Sequence, residues 1–142
     1  MKYYKIHPEV PGSLGERTKY DKRKTPWKLL DLHVVFDGWL GGDLLKISNC
    51  YLVTERLKND LEKAKITGIE SFINFELVIS DTFKNLYPNR TLPLIDQLVI
   101  NGKAGVDDIF LVDYYKLIIS ERMVEILNNH DLSNAEIEKY TC

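Results

Sequence analysis

Hydrophobic positions fall in short runs along most of the chain, and these runs are rich in β-branched and aromatic residues. Such runs predict strands rather than exposed helices. The predicted strands cover residues 29–36, 50–53, 69–79, 94–100 and 109–112. Turn-forming residues separate several of the runs, and Asn101-Gly102 is the strongest hairpin signal among them. The pattern predicts an α+β fold with a mostly antiparallel sheet of about six or seven strands and two main helices.

The two predicted helices belong to an internal repeat. Thr54 is a good N-cap for a helix over 55–64, whose apolar side chains fall on one face. A shift of 66 residues aligns the segment Thr54-Glu55-Arg56 with Ser120-Glu121-Arg122. We interpret the repeated Glu-Arg pair as structural: Glu favours the helix N-terminus, and Arg pairs with an acidic neighbour or pins a loop. The repeat therefore predicts two related strand–helix–strand units, with both helices packed on a shared sheet.

Length and composition indicate one folded domain over residues 1–142, in which residues 1–28 form a strand followed by an irregular basic loop. The chain has 142 residues, of which 44% are hydrophobic and 28% charged, a balance typical of globular proteins. No apolar run approaches the ~18 residues of a membrane span. The polar N-terminus lacks the apolar core of a secretory signal. We therefore expect a cytoplasmic protein that does not associate with membranes.

Charge is unevenly distributed. Residues 1–30 carry eight basic and three acidic side chains, which leaves 11 basic and 18 acidic ones in the rest of the chain. An acidic body is a poor ligand for a phosphate backbone, so we expect no nucleic-acid partner for the main domain. The basic segment 19–28 keeps a small nucleic-acid-binding module open as an alternative. The acidic body suits a basic protein partner.

Motifs for catalysis or cofactor binding are missing from the sequence. It contains no phosphate-binding loop, dinucleotide fingerprint or nucleophile elbow. His7, His33 and His130 are scattered, so we predict neither a metal nor a cofactor. We interpret His33 as a sheet residue and His130 as favouring the C-terminal dipole of the second helix. Cys50 lies within a predicted strand, which is typical of a small buried residue.

Acidic side chains are the most informative polar set. Asp37 and Asp43 flank Trp39 in one glycine-rich loop, and Asp107-Asp108 precede a strand. Asp is a common turn former, but exposed carboxylates also bind cationic partners, and paired ones serve in hydrolases. Trp39 either fills the core or anchors an interface. A small carboxylate-dependent hydrolase therefore remains an alternative to a binding protein.

Four segments together resemble a family of bacterial immunity proteins that accompany polymorphic toxins and contact-dependent inhibition systems. They are FDGWLGGDLL (36–45), LVTERL (52–57), GKAGVDD (102–108) and IISER (118–122). The resemblance implies a cytosolic α+β protein that is not an enzyme, and that binds and blocks one cognate toxin domain. We predict a basic nuclease-type toxin as the partner and a monomer or weak dimer as the free state. The predicted contact residues are Asp37, Trp39, Asp43, Asp107 and Asp108.

Overall fold

The computed structural model describes residues 2–141 and has an α+β architecture. Its strands are β1 (Tyr3–His7), β2 (Gly12–Leu14), β3 (Lys19–Asp21), β4 (Lys28–Asp31), β5 (His33–Phe36), β6 (Leu44–Ile47), β7 (Cys50–Thr54), β8 (Ile69–Ile73), β9 (Glu76–Ile79), β10 (Ile95–Ile100), β11 (Ile109–Val112), β12 (Lys116–Ser120) and β13 (Glu136–Tyr140). Its helices are α1 (Glu55–Lys63), α2 (Asp81–Leu86) and α3 (Glu121–Leu127). The predicted α+β class is confirmed. The predicted single sheet of six or seven strands is wrong, because the strands of residues 2–141 form four smaller sheets.

Two four-stranded antiparallel sheets contain the internal repeat. Their strand orders are β6-β7-β10-β8 and β11-β12-β1-β13. In each sheet a hairpin leads directly into a helix, and the strand that follows the helix forms the outer edge. Thr54 and Ser120 are the N-caps of α1 and α3. The Thr54 side chain accepts the backbone N–H of Leu57, and the Ser120 side chain accepts that of Met123. The repeat is thus confirmed, but each copy has its own sheet rather than a shared one.

The third strand of each sheet comes from the other half of the chain. β1 precedes the first repeat but lies in the second sheet, where Tyr3 is paired with Ser120. β10 precedes the second repeat but lies in the first sheet, where Ile95 is paired with Thr54. The predicted hairpin at Asn101-Gly102 is absent because β10 and β11, on either side of it, belong to different sheets. The two repeats have therefore exchanged their first strands.

A common core joins the two sheets. α1 and α3 contribute Leu57, Leu61, Met123 and Leu127, which are buried together with strand residues from both sheets. Burial of four such side chains contributes on the order of 8 kcal/mol. A second core lies against β5 and α2, where Phe36 and Phe83 are buried.

The remaining elements differ in detail from the pattern-based prediction. The run 69–79 is two strands in different sheets, β8 and β9, and β9 lies parallel to β5. The run 29–36 is divided at Leu32 into β4 and β5. The segment 1–28 contains β2 and β3 as well as β1, and β3 forms a hairpin with β4. α2 was not predicted, although Ser80 caps it. Within residues 2–141, no helix combines the length and apolarity needed to cross a membrane.

Candidate functional site: two buried aspartates and an exposed loop

Asp43, immediately before β6, is the centre of a buried polar cluster. Thr54 Oγ1 donates to Asp43 Oδ1 over 2.7 Å, and Arg56 Nη2 donates to Oδ2 over 2.5 Å. The backbone N–H of Asp131 also donates to Oδ2, over 2.8 Å. Asp131 lies in the loop after α3, so the Asp43 carboxylate connects the first repeat to the second.

Asp108, immediately before β11, is the centre of an equivalent cluster. Ser120 Oγ donates to Asp108 Oδ1 over 2.8 Å, and Arg122 Nη2 donates to Oδ2 over 2.5 Å. The backbone N–H of Thr67, in the loop after α1, donates to Oδ2 over 3.0 Å. Arg122 also donates to two backbone carbonyls that follow α1. Each repeat thus offers an aspartate, a hydroxyl and an arginine, and receives an N–H from the other repeat.

Both carboxyl groups are held in the ionised form. Burial acts to raise the pKa of Asp108, but hydrogen bonds from Arg122, Thr67 and Ser120 outweigh it and lower the pKa to about 2. Burial likewise acts to raise the pKa of Asp43, and hydrogen bonds led by that of Arg56 hold it below its usual range. A general acid needs a raised pKa, so these two groups are suited to holding the fold together and unsuited to proton transfer near neutral pH.

His130 distinguishes the first cluster from the second. Its side chain is 1% exposed, with Nε2 2.7 Å from Asp60 Oδ2 on α1 and Nδ1 3.3 Å from Asp43 Oδ2. In the second cluster, the residue that precedes the donor Thr67 is the apolar Ile66. His130 follows the end of α3 closely, and its backbone N–H donates to the carbonyl of Leu127, the last residue of the helix, over 2.9 Å, while its ring contacts α1. Both ring nitrogens face carboxylates, so neither is directed toward solvent as a catalytic base would be.

The loop 37–42, between β5 and β6, is held by the buried carboxylate of Glu9, which was not predicted from the sequence. Glu9 Oε2 accepts the backbone N–H of Leu40 over 2.7 Å, and Oε1 accepts that of Gly42 over 3.0 Å. Trp39 Nε1 donates to the Gly42 carbonyl over 2.9 Å, which closes the loop on itself. The only sequence signal for Glu9 was an acidic residue alone among Pro8, Val10 and Pro11.

An exposed apolar surface lies on this fixed loop. Leu40 is 50% exposed, and Val10 beside it is 63% exposed. Both line an open cleft of about 400 Å³ together with Asp37 and Tyr87. The Arg90 guanidinium lies 4.3 Å from the centre of the Tyr87 ring and donates to the Trp39 carbonyl. We call this surface, formed by Val10, Asp37, Leu40 and Tyr87, the loop surface.

The five predicted contact residues occupy three different environments. Asp37 is exposed, and Trp39 and Asp107 are half-buried. Asp43 and Asp108 are buried, so the exposure assumed for them in the sequence analysis is not found. Within residues 2–141, no hydrogen bond or ion pair joins the set near residues 37–43 to the set at 107–108. Asp43 and Asp108 thus belong to separate hydrogen-bonded clusters.

The predictions for Cys50, for His33 and for the arginine of the repeated Glu-Arg pair agree with the structure. Cys50 is buried, and burial raises the pKa of its thiol to about 11. His33 lies in β5, where its Nδ1 accepts the backbone N–H of Arg17 over 3.1 Å. Arg56 and Arg122 pair with acidic neighbours, as the repeated Glu-Arg pair predicted. Across residues 2–141, no three His, Cys, Asp or Glu side chains are arranged to hold a metal ion.

Comparison with known proteins adds no family to this description. Neither the protein-family models, nor the curated proteins, nor the solved structures contain a match to the chain.

Proposed function

We propose that the protein is an immunity protein, which binds a cognate bacterial toxin domain through the loop surface and blocks its activity. The observation that carries the proposal is the fixed loop 37–42. It presents an exposed Leu40 and the exposed carboxylate of Asp37 on a backbone held by Glu9. A fixed loop loses little conformational entropy on binding, which favours affinity.

The chemistry of the loop surface supports a basic partner. Asp37 has no ion-pair partner in the described part of the chain, so its carboxylate is available to a lysine or arginine. Val10 and Leu40 offer apolar area beside it, the combination typical of an interface core with a charged rim. The resemblance of segments 36–45 and 102–108 to immunity proteins points to the same class of function.

The buried carboxylates favour binding over the alternative of a hydrolase. That alternative needs paired carboxylates in a cleft, one of them with a raised pKa. Asp43 and Asp108 instead have lowered pKa values and lie in separate clusters, each surrounded by donors.

Co-production with the product of the neighbouring upstream reading frame tests the proposal. We expect the chain to restore growth of a bacterial host that the product would otherwise arrest, and to form a one-to-one complex with it. Asp37→Lys is expected to weaken the complex by at least about tenfold, because it places like charges in contact. Glu125→Lys is the matched control, since Glu125 is an exposed carboxylate on α3.

Thermal unfolding of both variants would establish that they remain folded. Absence of a complex and of growth rescue would refute the immunity function. A complex that Asp37→Lys and Leu40→Lys both leave unchanged would refute the loop surface as the contact.

A further inference from the structure

The hairpin of β3 and β4 is strongly basic, unlike the rest of the chain. Residues 19–31 carry five basic side chains against two acidic ones. Arg23 is paired with Asp21. The other four basic residues are exposed and have no ion-pair partner within residues 2–141: Lys19, Lys22, Lys24 and Lys28. Uncompensated cations concentrated on one element of structure attract a polyanion.

Trp27, in the loop of this hairpin, is a large aromatic residue that is 56% exposed. The centre of its ring lies 5.9 Å from the centre of the Tyr20 ring and 4.8 Å from Lys22 Nζ. These two contacts hold the tryptophan in place while more than half of it stays accessible. An accessible aromatic ring among cations is the arrangement on which the bases of a single-stranded nucleic acid stack.

A groove of about 320 Å³ opens beside Trp27, between the hairpin and the first sheet. Trp27 and Leu29 form one wall, because side chains two positions apart in an extended segment share a face. Residues of β7 and β10 form most of the remainder, and no charged side chain of the described residues lines it. We call this space the hairpin groove. It suits a flat, uncharged base whose phosphate stays outside, on the lysines.

Gln97, on β10, brings a buried polar group to the hairpin groove. It is 8% exposed and lines the groove, and its side-chain amide makes no hydrogen bond within residues 2–141. Buried amides are normally hydrogen-bonded, so the amide of Gln97 has both donors and an acceptor available to a ligand. Asn49 places a second amide at the same groove. Glutamine and asparagine amides pair with the edges of nucleobases, which also combine donors with acceptors.

We propose that the hairpin and the hairpin groove bind single-stranded nucleic acid. One base stacks on Trp27 with its edge toward Gln97, and the hairpin lysines contact the phosphates on either side of it. A strand rises by about 3.3 Å per residue, so Lys19 and Lys22 are on the order of 10 Å apart and contact different phosphates. The acidic remainder of the chain repels phosphate, which confines the contact to a few nucleotides. The proposal does not depend on the proposed function and concerns a different surface from the loop surface.

Fluorescence anisotropy with a labelled, mixed-sequence DNA strand of about 12 nucleotides at about 50 mM salt tests the proposal. We expect a Kd in the micromolar range that rises about fourfold for each doubling of the salt concentration, as three phosphate contacts would give. Lys24→Glu should raise the Kd at least about tenfold. Lys139→Glu is the matched control, because it makes the same charge change at an exposed lysine on β13, and it should raise the Kd less than about twofold.

Two further variants test the base contacts. Trp27→Ala should raise the Kd at least about fivefold, and Trp27→Phe, which keeps a ring for stacking, should raise it less. Gln97→Leu keeps the size of the side chain but removes its amide, and it should weaken binding without lowering the temperature of thermal unfolding. Unchanged affinity in both Trp27→Ala and Gln97→Leu would overturn the hairpin groove as the place where the base binds.

Other probes decide between sources of the negative charge. Adenosine monophosphate should compete far more weakly than the strand, because it offers one phosphate, and equal competition would overturn the assignment to a strand. Vesicles of phosphatidylcholine with about 30% phosphatidylserine should bind more weakly than the strand, and tighter binding that Lys24→Glu abolishes would assign the hairpin to an anionic membrane instead. Absence of strand binding at about 50 mM salt, or equal weakening by Lys24→Glu and Lys139→Glu, would also overturn the proposal.

Discussion

Replacing Asp108 with asparagine tests the role of the buried clusters most directly. The substitution keeps the shape of the side chain but removes its charge. The surrounding groups, Ser120 Oγ, Arg122 and the Thr67 N–H, all donate to the present carboxylate. An asparagine amide has an NH2 group in place of one carboxylate oxygen, and this group would face the donors. The variant therefore loses one acceptor oxygen and the negative charge that pairs with Arg122.

The magnitude follows from the pKa of Asp108. Its pKa is about 2 in the folded chain, against an ordinary 3.8. A tenfold change in proton affinity corresponds to about 1.4 kcal/mol, so ionised Asp108 contributes about 2 kcal/mol to the free energy of unfolding. Leaving the arginine and hydroxyl partners unsatisfied adds to this loss. We expect Asp108→Asn to lower the free energy of unfolding at pH 7 by about 3 kcal/mol.

The pH dependence has a defined sign. A carboxyl whose pKa is lowered by folding stabilises the protein fully above pH 3.8, and this contribution is lost as the pH falls toward about 2. The difference in stability between the wild type and Asp108→Asn should therefore shrink by about 1 kcal/mol between pH 7 and pH 3.

Urea unfolding followed by tryptophan fluorescence at several pH values measures both quantities. Asp113→Asn is the control, because the Asp113 carboxylate is 64% exposed and pairs with Lys116 at the surface. It should change stability by less than about 0.5 kcal/mol. A loss below about 1 kcal/mol for Asp108→Asn at pH 7, or a loss independent of pH, would refute the assignment of Asp108 as a stabilising anion.

Three further predictions concern separate parts of the chain. Glu9→Gln should weaken the hydrogen bonds that residue 9 accepts from the loop 37–42 and speed amide hydrogen exchange in that loop at least about tenfold. Unchanged exchange would contradict the role of Glu9. Gly102→Ala should lower stability by more than about 2 kcal/mol in thermal unfolding, because an added Cβ would lie 1.8 Å from the Ile109 carbonyl oxygen. Cys50 should not react with a thiol reagent at pH 8 in a folded variant without the C-terminal cysteine, since its pKa is about 11, and rapid reaction would show that the thiol is accessible.

The repeat could be predicted because each N-cap, the Glu-Arg pair that follows it and the helix are contiguous in the sequence. Thr54 and Ser120 were predicted as N-caps, and both accept the expected backbone N–H. The exchange of first strands was not predictable in this way. Tyr3-Tyr4-Lys5-Ile6 and Ile95-Asp96-Gln97-Leu98 occupy corresponding places in the two sheets but share no identical residue.

The buried aspartates show the limit of single-residue interpretation. Asp in a turn is common, and nothing beside Asp43 or Asp108 in the sequence distinguishes a buried acceptor from an exposed one. Their partners lie up to 88 residues away, as the contact between Asp43 and Asp131 illustrates. The missed signal was their equivalent position in the repeat, one residue before β6 and one before β11.

The exchanged strands also determine the order in which the protein can assemble during translation. The first four-stranded sheet has all its strands once β10 has left the ribosome. The second sheet cannot close until β13 is synthesised, although β1, its inner strand, is the first to be made. β1 must therefore wait for its partner strand β12 until Lys116–Ser120 have been synthesised, which in the meantime exposes its apolar residue Ile6 to chaperones or to aggregation. A chain truncated before residue 116 would therefore lack β12, the strand with which β1 pairs.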